Sequence, residues 1–237
     1  MAERKAVVDV GDCWAVAEAV IGVSPRVLLY GPPGTGKTHG ALRMGVTPGQ
    51  LVTSLTCSEE MSGVEMRGHY VPKGGDWLFQ FGPMLAAWRD GGRAVVNEID
   101  QASPDAHGLL GCFLDDQESA WLTLPTGETI RPAAGFSVVA TMNGDPAVDL
   151  HPRLRDRFPV CILIDRVHPA ALAALPEDLR APAERGVFAP EEERRTSIRV
   201  WLEFAKLRQA VGPEVAAAAC FGPRATDVLN GLKIGGA

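Results

Sequence analysis

Residues 31–38 read Gly31-Pro32-Pro33-Gly34-Thr35-Gly36-Lys37-Thr38 and fill every fixed place of the pattern G-x-x-x-x-G-K-[S/T]. No other stretch of the chain limits its fold so tightly. The pattern has a meaning only between a strand and a helix, and both are written into its flanks. Val27-Leu28-Leu29-Tyr30 is a short continuous apolar run, the signature of a buried parallel strand, and Pro25-Arg26 marks its start. Residues 37–44 read as the beginning of a helix. Gly34 and Gly36 lack a Cβ, so the chain can curl there and turn successive N–H groups onto phosphate oxygens. The helix start adds its positive dipole end. Lys37 is then placed to reach β- and γ-phosphates, and the Thr38 hydroxyl to ligate Mg²⁺.

The rest of the chain alternates strand and helix signals. Residues 50–56 predict a second strand, and 58–75 form a polar, Gly-rich segment longer than a plain connection. Trp77-Leu78-Phe79-Gln80-Phe81 predicts one arm of a hairpin. A helix follows from Gly82-Pro83, with Met84, Leu85 and Trp88 on one face, and Gly91-Gly92 stops it. Ala94-Val95-Val96 is a third buried strand and runs into Asn97-Glu98-Ile99-Asp100. Ser103-Pro104 is a helix start with Ser103 as N-cap. Residues 121–130 predict a hairpin, 136–141 a fourth strand ending before Met142-Asn143, and 160–164 a fifth. The expected fold class is therefore α/β: a three-layer sandwich around a mainly parallel five-stranded sheet, with ligands at the carboxyl ends of its strands.

From His168 the β-branched runs vanish and Ala, Leu, Pro, Glu and Arg dominate. A helix is expected from Pro190 to Gln209, its solvated face carrying Glu191 and Arg195 as an i,i+4 pair, and two more over 213–221 and 224–232. These form a small all-α lid domain. The expected division is 1–165 and 166–237.

Composition narrows the class. The formal net charge of −6 advertises no general basic surface for nucleic acid. The five cysteines show no paired spacing and read as buried small residues in a reducing compartment. The first 22 residues are acidic from Glu3 onward and lack the apolar core of a signal peptide, and no apolar run approaches membrane-spanning length. A soluble, cytoplasmic protein is expected. The five histidines show no ligand spacing, so no metal site other than nucleotide-bound Mg²⁺ is expected.

In order, GPPGTGKT, VVNEID, ATMN, RLRDRF before a strand, and GPRA in a helical tail resemble the AAA+ ATPases, and more narrowly their MoxR / dynein-related branch. The segment EMRGHYVPKGGDWLFQFGPMLAAWRDGG is similar to that branch's insertion in the second helix, and the 121–130 hairpin stands where the branch carries its pre-sensor hairpin. The resemblance covers roughly residues 23–232. It implies ATP and Mg²⁺ as ligands and assigns roles to individual residues. Glu98 takes the place of the catalytic glutamate that polarises the attacking water. Asn97 departs from the pattern, in which an Asp holds Mg²⁺ through water. An amide keeps the hydrogen bond to metal-bound water and loses the charge attraction, and Asp100 is the nearby candidate for that charge. Asn143 matches the first sensor. Arg153, Arg155 and Arg157 lie where the family presents an arginine finger to a neighbouring subunit. Arg157 matches best, and salt bridges to Asp156 or Asp149 are the other fate open to the rest. Arg224 matches the second sensor, which links nucleotide state to the angle between domains. Tyr70 and His69 have two readings, gripping a client at a pore or local packing.

The resemblance implies an ATP-hydrolysing, chaperone-like remodelling motor, assembled head-to-tail as a homo-oligomeric ring of six, with a von Willebrand factor A domain in its adaptor or client and no membrane. Two other readings stand beside it. Met142-Asn143-Gly144-Asp145 is loosely similar to a run in McrB-like restriction GTPases, which implies a motor acting on nucleic acid. Asn97 motivates a scaffold that binds nucleotide and barely hydrolyses it.

Overall fold

The structure, a computed structural model, describes residues 10–234, which fold as two compact units. One unit runs through Gly31 and resumes from Thr38 to Leu163, and the other combines Pro32–Lys37 with the chain from Ile164 onward.

The first unit is built on a parallel sheet. Its strands are β1 (Arg26–Tyr30), β2 (Val52–Thr56), β5 (Arg93–Asn97), β8 (Ser137–Met142) and β9 (Val160–Leu163), in the order β2-β5-β8-β1-β9. The middle strands are the continuous apolar runs: β5 is buried at every residue, and β8 at all but its first. The edge strands β2 and β9 are partly exposed: β2 carries the polar Thr53, Ser54 and Thr56, whereas β9 is apolar throughout and leaves Leu163 exposed. Helices α1 (Cys13–Ile21), α2 (Lys37–Arg43), α4 (Pro83–Asp90) and α5 (Pro104–Phe113) accompany the sheet. Helix α4 starts with Pro at its first turn and ends at Gly91 in the left-handed region (φ 69°), as its sequence dictates. Trp88 of α4 stacks edge-on against Phe113 of α5 at 5.0 Å and against Phe136 at 6.4 Å, which closes the core on that face.

The insertion between β2 and β5 folds as a short helix α3 (Gly63–Arg67) and an antiparallel hairpin, β3 (Gly68–Lys73) with β4 (Asp76–Phe81), turned by Gly74-Gly75. Tyr70 packs edge-on to Phe79 at 5.4 Å while remaining 42% exposed, beside an exposed Trp77 and Leu78. A second hairpin, β6 (Leu122–Thr123) with β7 (Thr129–Ile130), lies in the expected stretch. Short helices α6 (Pro146–Asp149) and α7 (Pro152–Arg155) lead into β9.

The second unit holds α8 (Pro169–Ala173), α9 (Glu177–Val187), α10 (Ile198–Val211), α11 (Pro213–Phe221) and α12 (Ala225–Ile234). Its own core centres on Trp201, Phe204 and Phe221, whose rings meet pairwise at 5.0–6.2 Å.

Two expectations are corrected here. No helix starts at Pro190: Glu192–Arg194 make a 3-10 turn, and Thr196 N–H donates to Gly186 O at 2.9 Å. That bond straps the segment onto the end of α9 and delays the helix to Ile198, with Ser197 in the N-cap position. Glu191 and Arg195 consequently share no helix face. Glu191 approaches Arg194 at 4.0 Å, and Arg195 Nε donates to Ala189 O at 3.0 Å. Helices α1, α3, α6, α7, α8 and α9 have no counterpart among the elements expected from the sequence, and α9 carries an internal proline, Pro182. Among the described residues, no helix is long and apolar enough to cross a membrane.

Candidate active site

Register aligns the carboxyl ends of three adjacent strands. Tyr30 pairs with Met142 and Val96 with Ala140, so Gly31, Asn143 and Glu98 each follow the last residue of a neighbouring strand on one edge of the sheet. Open parallel sheets bind ligands at that edge. Between Glu98 and Asn143 the sheet carries a polar seam: Thr141 Oγ1 donates to Asn97 Oδ1 at 3.3 Å, and Asn97 Nδ2 donates to Ser54 Oγ at 3.0 Å and to Leu55 O at 3.3 Å. Asn97 is 7% exposed, and both ends of its amide are engaged within the sheet.

Glu98 stands apart from every other described residue. It is the only one besides glycine with positive φ (53°, ψ 47°). An L side chain in that region carries strain of roughly 1–3 kcal/mol and persists only where the surroundings impose it. Here Ile99 imposes it. Ile99 is fully buried and anchors the 3-10 turn Ile99–Gln101, so the chain must reverse at Glu98 and leave its carboxylate exposed. Asp100 follows on the same turn. Its Oδ2 accepts from Gln101 Nε2 at 2.8 Å, while its buried Oδ1 has no hydrogen-bond partner. Burial first, then the charges of Asp100 and Glu98, push the nearby Cys57 thiol up to about 12.

Within the second unit, the Pro32–Lys37 loop has the curl its glycines predict. Gly34 (φ 79°) and Gly36 (φ 102°) occupy conformations that favour glycine, and there is no room for a side chain. A Cβ on Gly34 would lie 2.6 Å from Ser197 Cα, and one on Gly36 would lie 2.8 Å from His168 Cβ. Two carbonyls of the loop accept from the helical segment: Thr35 O from His168 N at 2.8 Å and Gly34 O from Ile198 N at 3.3 Å. Lys37 folds back over the loop, Nζ donating to Pro32 O at 2.7 Å, and Thr35 Oγ1 donates to the same carbonyl at 3.2 Å. Arg224 occupies the 3-10 turn just before α12. Its Nη1 donates to Arg194 O at 2.7 Å and its Nη2 to Thr196 Oγ1 at 3.0 Å.

The three arginines of the RLRDRF run part company. Arg157 pairs with Asp115 at 2.6 Å, Arg155 Nη1 donates to Ala147 O at 3.1 Å, and the Arg153 side chain is exposed. Neither Asp156 nor Asp149 takes up Arg153 or Arg155. Arg26, which opens β1, donates to Leu114 O at 2.6 Å, so the Asp115 turn and Arg157 with it lie toward the amino-terminal edge of the sheet. That is the edge away from Glu98. At the start of α7, His151 Nδ1 accepts from Arg153 N at 3.3 Å, and its ring lies 4.8 Å from that of His107.

The sequence model of the AAA domain, dynein-related subfamily, matches residues 26–158, more than half of the chain. The chain belongs to that family. Protein NorQ of Paracoccus denitrificans (strain Pd 1222) is 34% identical over 166 residues, which cover 68% of this chain and 60% of NorQ. A protein of undescribed function from Staphylococcus haemolyticus (strain JCSC1435) is 30% identical over 159 residues, 64% of this chain and 59% of its own. The chain thus spans about 60% of the length of these two relatives. Of solved structures, NtrX from Brucella abortus in complex with ADP superposes with a TM-score of 0.53 at 12% identity, over 97% of this chain and 49% of NtrX. A RuvB variant from Thermotoga maritima superposes at 0.51 and 17%, over 84% of this chain and 62% of RuvB. At these identities the likeness is one of fold.

As an AAA domain of the MoxR-like kind, the chain carries a nucleotide-binding P-loop, and its residues fit the ligands that implies. The loop's glycines give the cradle that phosphates require, and the unpaired Asp100 Oδ1 is an acceptor awaiting a donor such as a cation's water. Sequence reasoning missed Thr141, Ser54, His168 and Thr196. Each acts through a main-chain or hydroxyl contact that no motif marks.

Proposed function

We propose that this AAA domain binds Mg²⁺–ATP and hydrolyses it, and that it works as a ring-forming remodelling motor. The observation that carries the reading is the alignment of Gly31, Glu98 and Asn143 on one sheet edge, with Glu98, alone among the described non-glycine residues, held in the left-handed region. The loop 31–38 receives the phosphates: main-chain N–H groups of Gly34, Thr35, Gly36, Lys37 and Thr38 donate to them, while Gly31, Pro32 and Pro33, the prolines having no N–H to give, shape the turn that leads into the cradle. Lys37 exchanges its bond to Pro32 O for phosphate oxygens. Glu98 takes the proton of the attacking water, Asn143 orients that water, and Arg224 donates to the terminal phosphoryl group. Mg²⁺, when bound, would neutralise charge developing on the phosphates; Thr38 and Asp100 are the residues that would hold it, directly or through water, and Asn97, its amide engaged within the sheet, would reach a metal-bound water only through the second lone pair of Oδ1. The nucleotide-binding α/β part is taken as 1–165 and the helical lid as 166–237.

Arg157 supplies the argument for assembly. It lies toward the sheet edge away from its own Glu98, so a role on nucleotide is a role on a neighbour's, which needs head-to-tail packing. A hexameric ring in the cytoplasm, acting on a client or adaptor with a von Willebrand factor A domain, completes the reading by family analogy. The weakly hydrolysing scaffold keeps one observation in its favour: Asn97 is neutral and its amide is spent within the sheet.

The test is ATP turnover against protein concentration, with mass measured in parallel, for wild type and Arg157→Ala. Specific activity is expected to rise with assembly in wild type. The variant is expected to keep nucleotide binding and lose on the order of a thousandfold in kcat. Turnover independent of concentration, at constant mass and unchanged in the variant, would reject the ring.

A further inference from the structure

We propose that Thr196 is a positioning residue, which fixes the Arg224 guanidinium and ties it to the phosphate-binding loop through the strap 194–198. The proposal rests on the reading of Arg224 as the group that touches the terminal phosphoryl. Every contact it uses lies within the helical unit.

The first observation is a closed triangle of hydrogen bonds. Arg224 Nη1 donates to Arg194 O at 2.7 Å, Arg224 Nη2 donates to Thr196 Oγ1 at 3.0 Å, and Thr196 Oγ1 donates its own proton to Arg194 O at 3.3 Å. A guanidinium carries five N–H donors in a rigid fork. The triangle engages one N–H on each terminal nitrogen and leaves the remainder of the fork to an anion. The second observation is that the anchor is fixed. Thr196 is 7% exposed, and its amide donates to Gly186 O at 2.9 Å at the end of α9, so its hydroxyl does not travel with α12. The third is what the strap touches next. Ser197 lies so close to Gly34 that a Cβ there would meet Ser197 Cα at 2.6 Å, and Ile198 N donates to Gly34 O at 3.3 Å. Three consecutive residues thus run from the arginine to the loop carbonyl.

The physical consequence is preorganisation. A free arginine side chain loses considerable rotamer freedom when it meets an anion, whereas one already held at two points loses less. Donors fixed in advance also need no reorganisation as charge develops, which favours the transition state over the ground state. Thr196 should therefore govern how well the protein tells a triphosphate from a diphosphate, and how fast it turns over, more than how tightly it holds ADP.

The experiment uses the full chain as wild type, Thr196→Val, Thr196→Ser, Arg224→Ala and the double variant Thr196→Val with Arg224→Ala. It reads affinity for ADP and for the non-hydrolysable analogue AMP-PNP with Mg²⁺, ATP turnover, and the thermal transition. Valine keeps the shape and removes the acceptor. It is expected to lower the preference for the triphosphate about tenfold, as loss of one hydrogen bond to a charged group does. ADP affinity should hold, serine should restore the preference, and valine should add nothing once Arg224 is gone. Wild-type preference in Thr196→Val, or an equal loss on the Arg224→Ala background, overturns the proposal. If Arg224→Ala itself leaves the preference unchanged, the underlying sensor reading fails. If Arg224→Ala is impaired and Thr196→Val is not, only the role of Thr196 fails. Should the valine variant lose its cooperative thermal transition, Thr196→Ala takes its place, and an alanine variant that behaves as wild type is equally decisive.

Discussion

Asn97 gains its meaning from what its amide touches. Its Nδ2 has two acceptors, Ser54 Oγ and Leu55 O, and its Oδ1 accepts from Thr141 Oγ1, so one side chain stitches β5 to both neighbouring strands at the edge where Glu98 emerges. Aspartate, the residue more usual at this place in the family, has no donor to offer Leu55 O and would set a carboxylate against a carbonyl. Asn97→Asp is expected to destabilise the fold by about 1–3 kcal/mol, read by urea denaturation, because it leaves a buried acceptor unsatisfied. An unchanged or raised midpoint would show that the seam contributes nothing. Glu98 works in the opposite sense, since its left-handed backbone opposes stability and is held by the burial of Ile99 together with the turn bond from Gln101 N to Glu98 O at 2.9 Å.

The same logic applies to whole elements. Helix α2 starts at Lys37, has seven residues, and contains Gly40, whose missing side chain admits Trp14: a Cβ there would lie 2.6 Å from the indole. So short a helix with an internal glycine is not stable alone. Arg93, at the start of β5 and 1% exposed, supplies the anchor by donating to Met44 O and Ala41 O through Nη1, and to Gly45 O through Nη2. Burial lowers the pKa of this guanidinium, and no carboxylate compensates it among the described residues. The negative end of the helix takes that part. Arg93→Ala removes these bonds and leaves a void. A loss of about 3 kcal/mol is expected in chemical denaturation, and a loss below the noise would mean α2 needs no anchor. Arg93 also shows where the sequence stops being legible. The parallel strands were readable because burial on both faces demands unbroken apolar runs, and the phosphate loop because its glycines are conformationally required. An arginine at the head of a strand reads as solvated until its carbonyl partners, some fifty residues away, are seen. Helix α9 escaped because Pro182 stands inside it. The helix start expected at Pro190 rests on a local signal, a proline followed by Glu191 and Glu192, whereas the Thr196–Gly186 bond decides the backbone there. Of the candidate site, the residues at strand ends were legible and the partners of Arg157 and Arg224 were not.

At the scale of the molecule, each unit has its own hydrophobic core, one under the sheet and one around Trp201, Phe204 and Phe221. The insertion hairpin keeps Trp77, Leu78 and Tyr70 exposed, and the chain carries a net charge of −6. The proposed function turns on a triphosphate held by residues 31–38 and cleaved by a water that Glu98 activates. The most direct measurement is equilibrium binding and steady-state hydrolysis of Mg²⁺–ATP by wild type, Lys37→Ala and Glu98→Gln. Wild type should bind and turn over. Lys37→Ala should lose binding, and Glu98→Gln should keep ATP bound and unhydrolysed, with kcat down by about 10²–10⁴. A wild-type chain indifferent to Mg²⁺–ATP, or a Glu98→Gln variant hydrolysing at the wild-type rate, would contradict it.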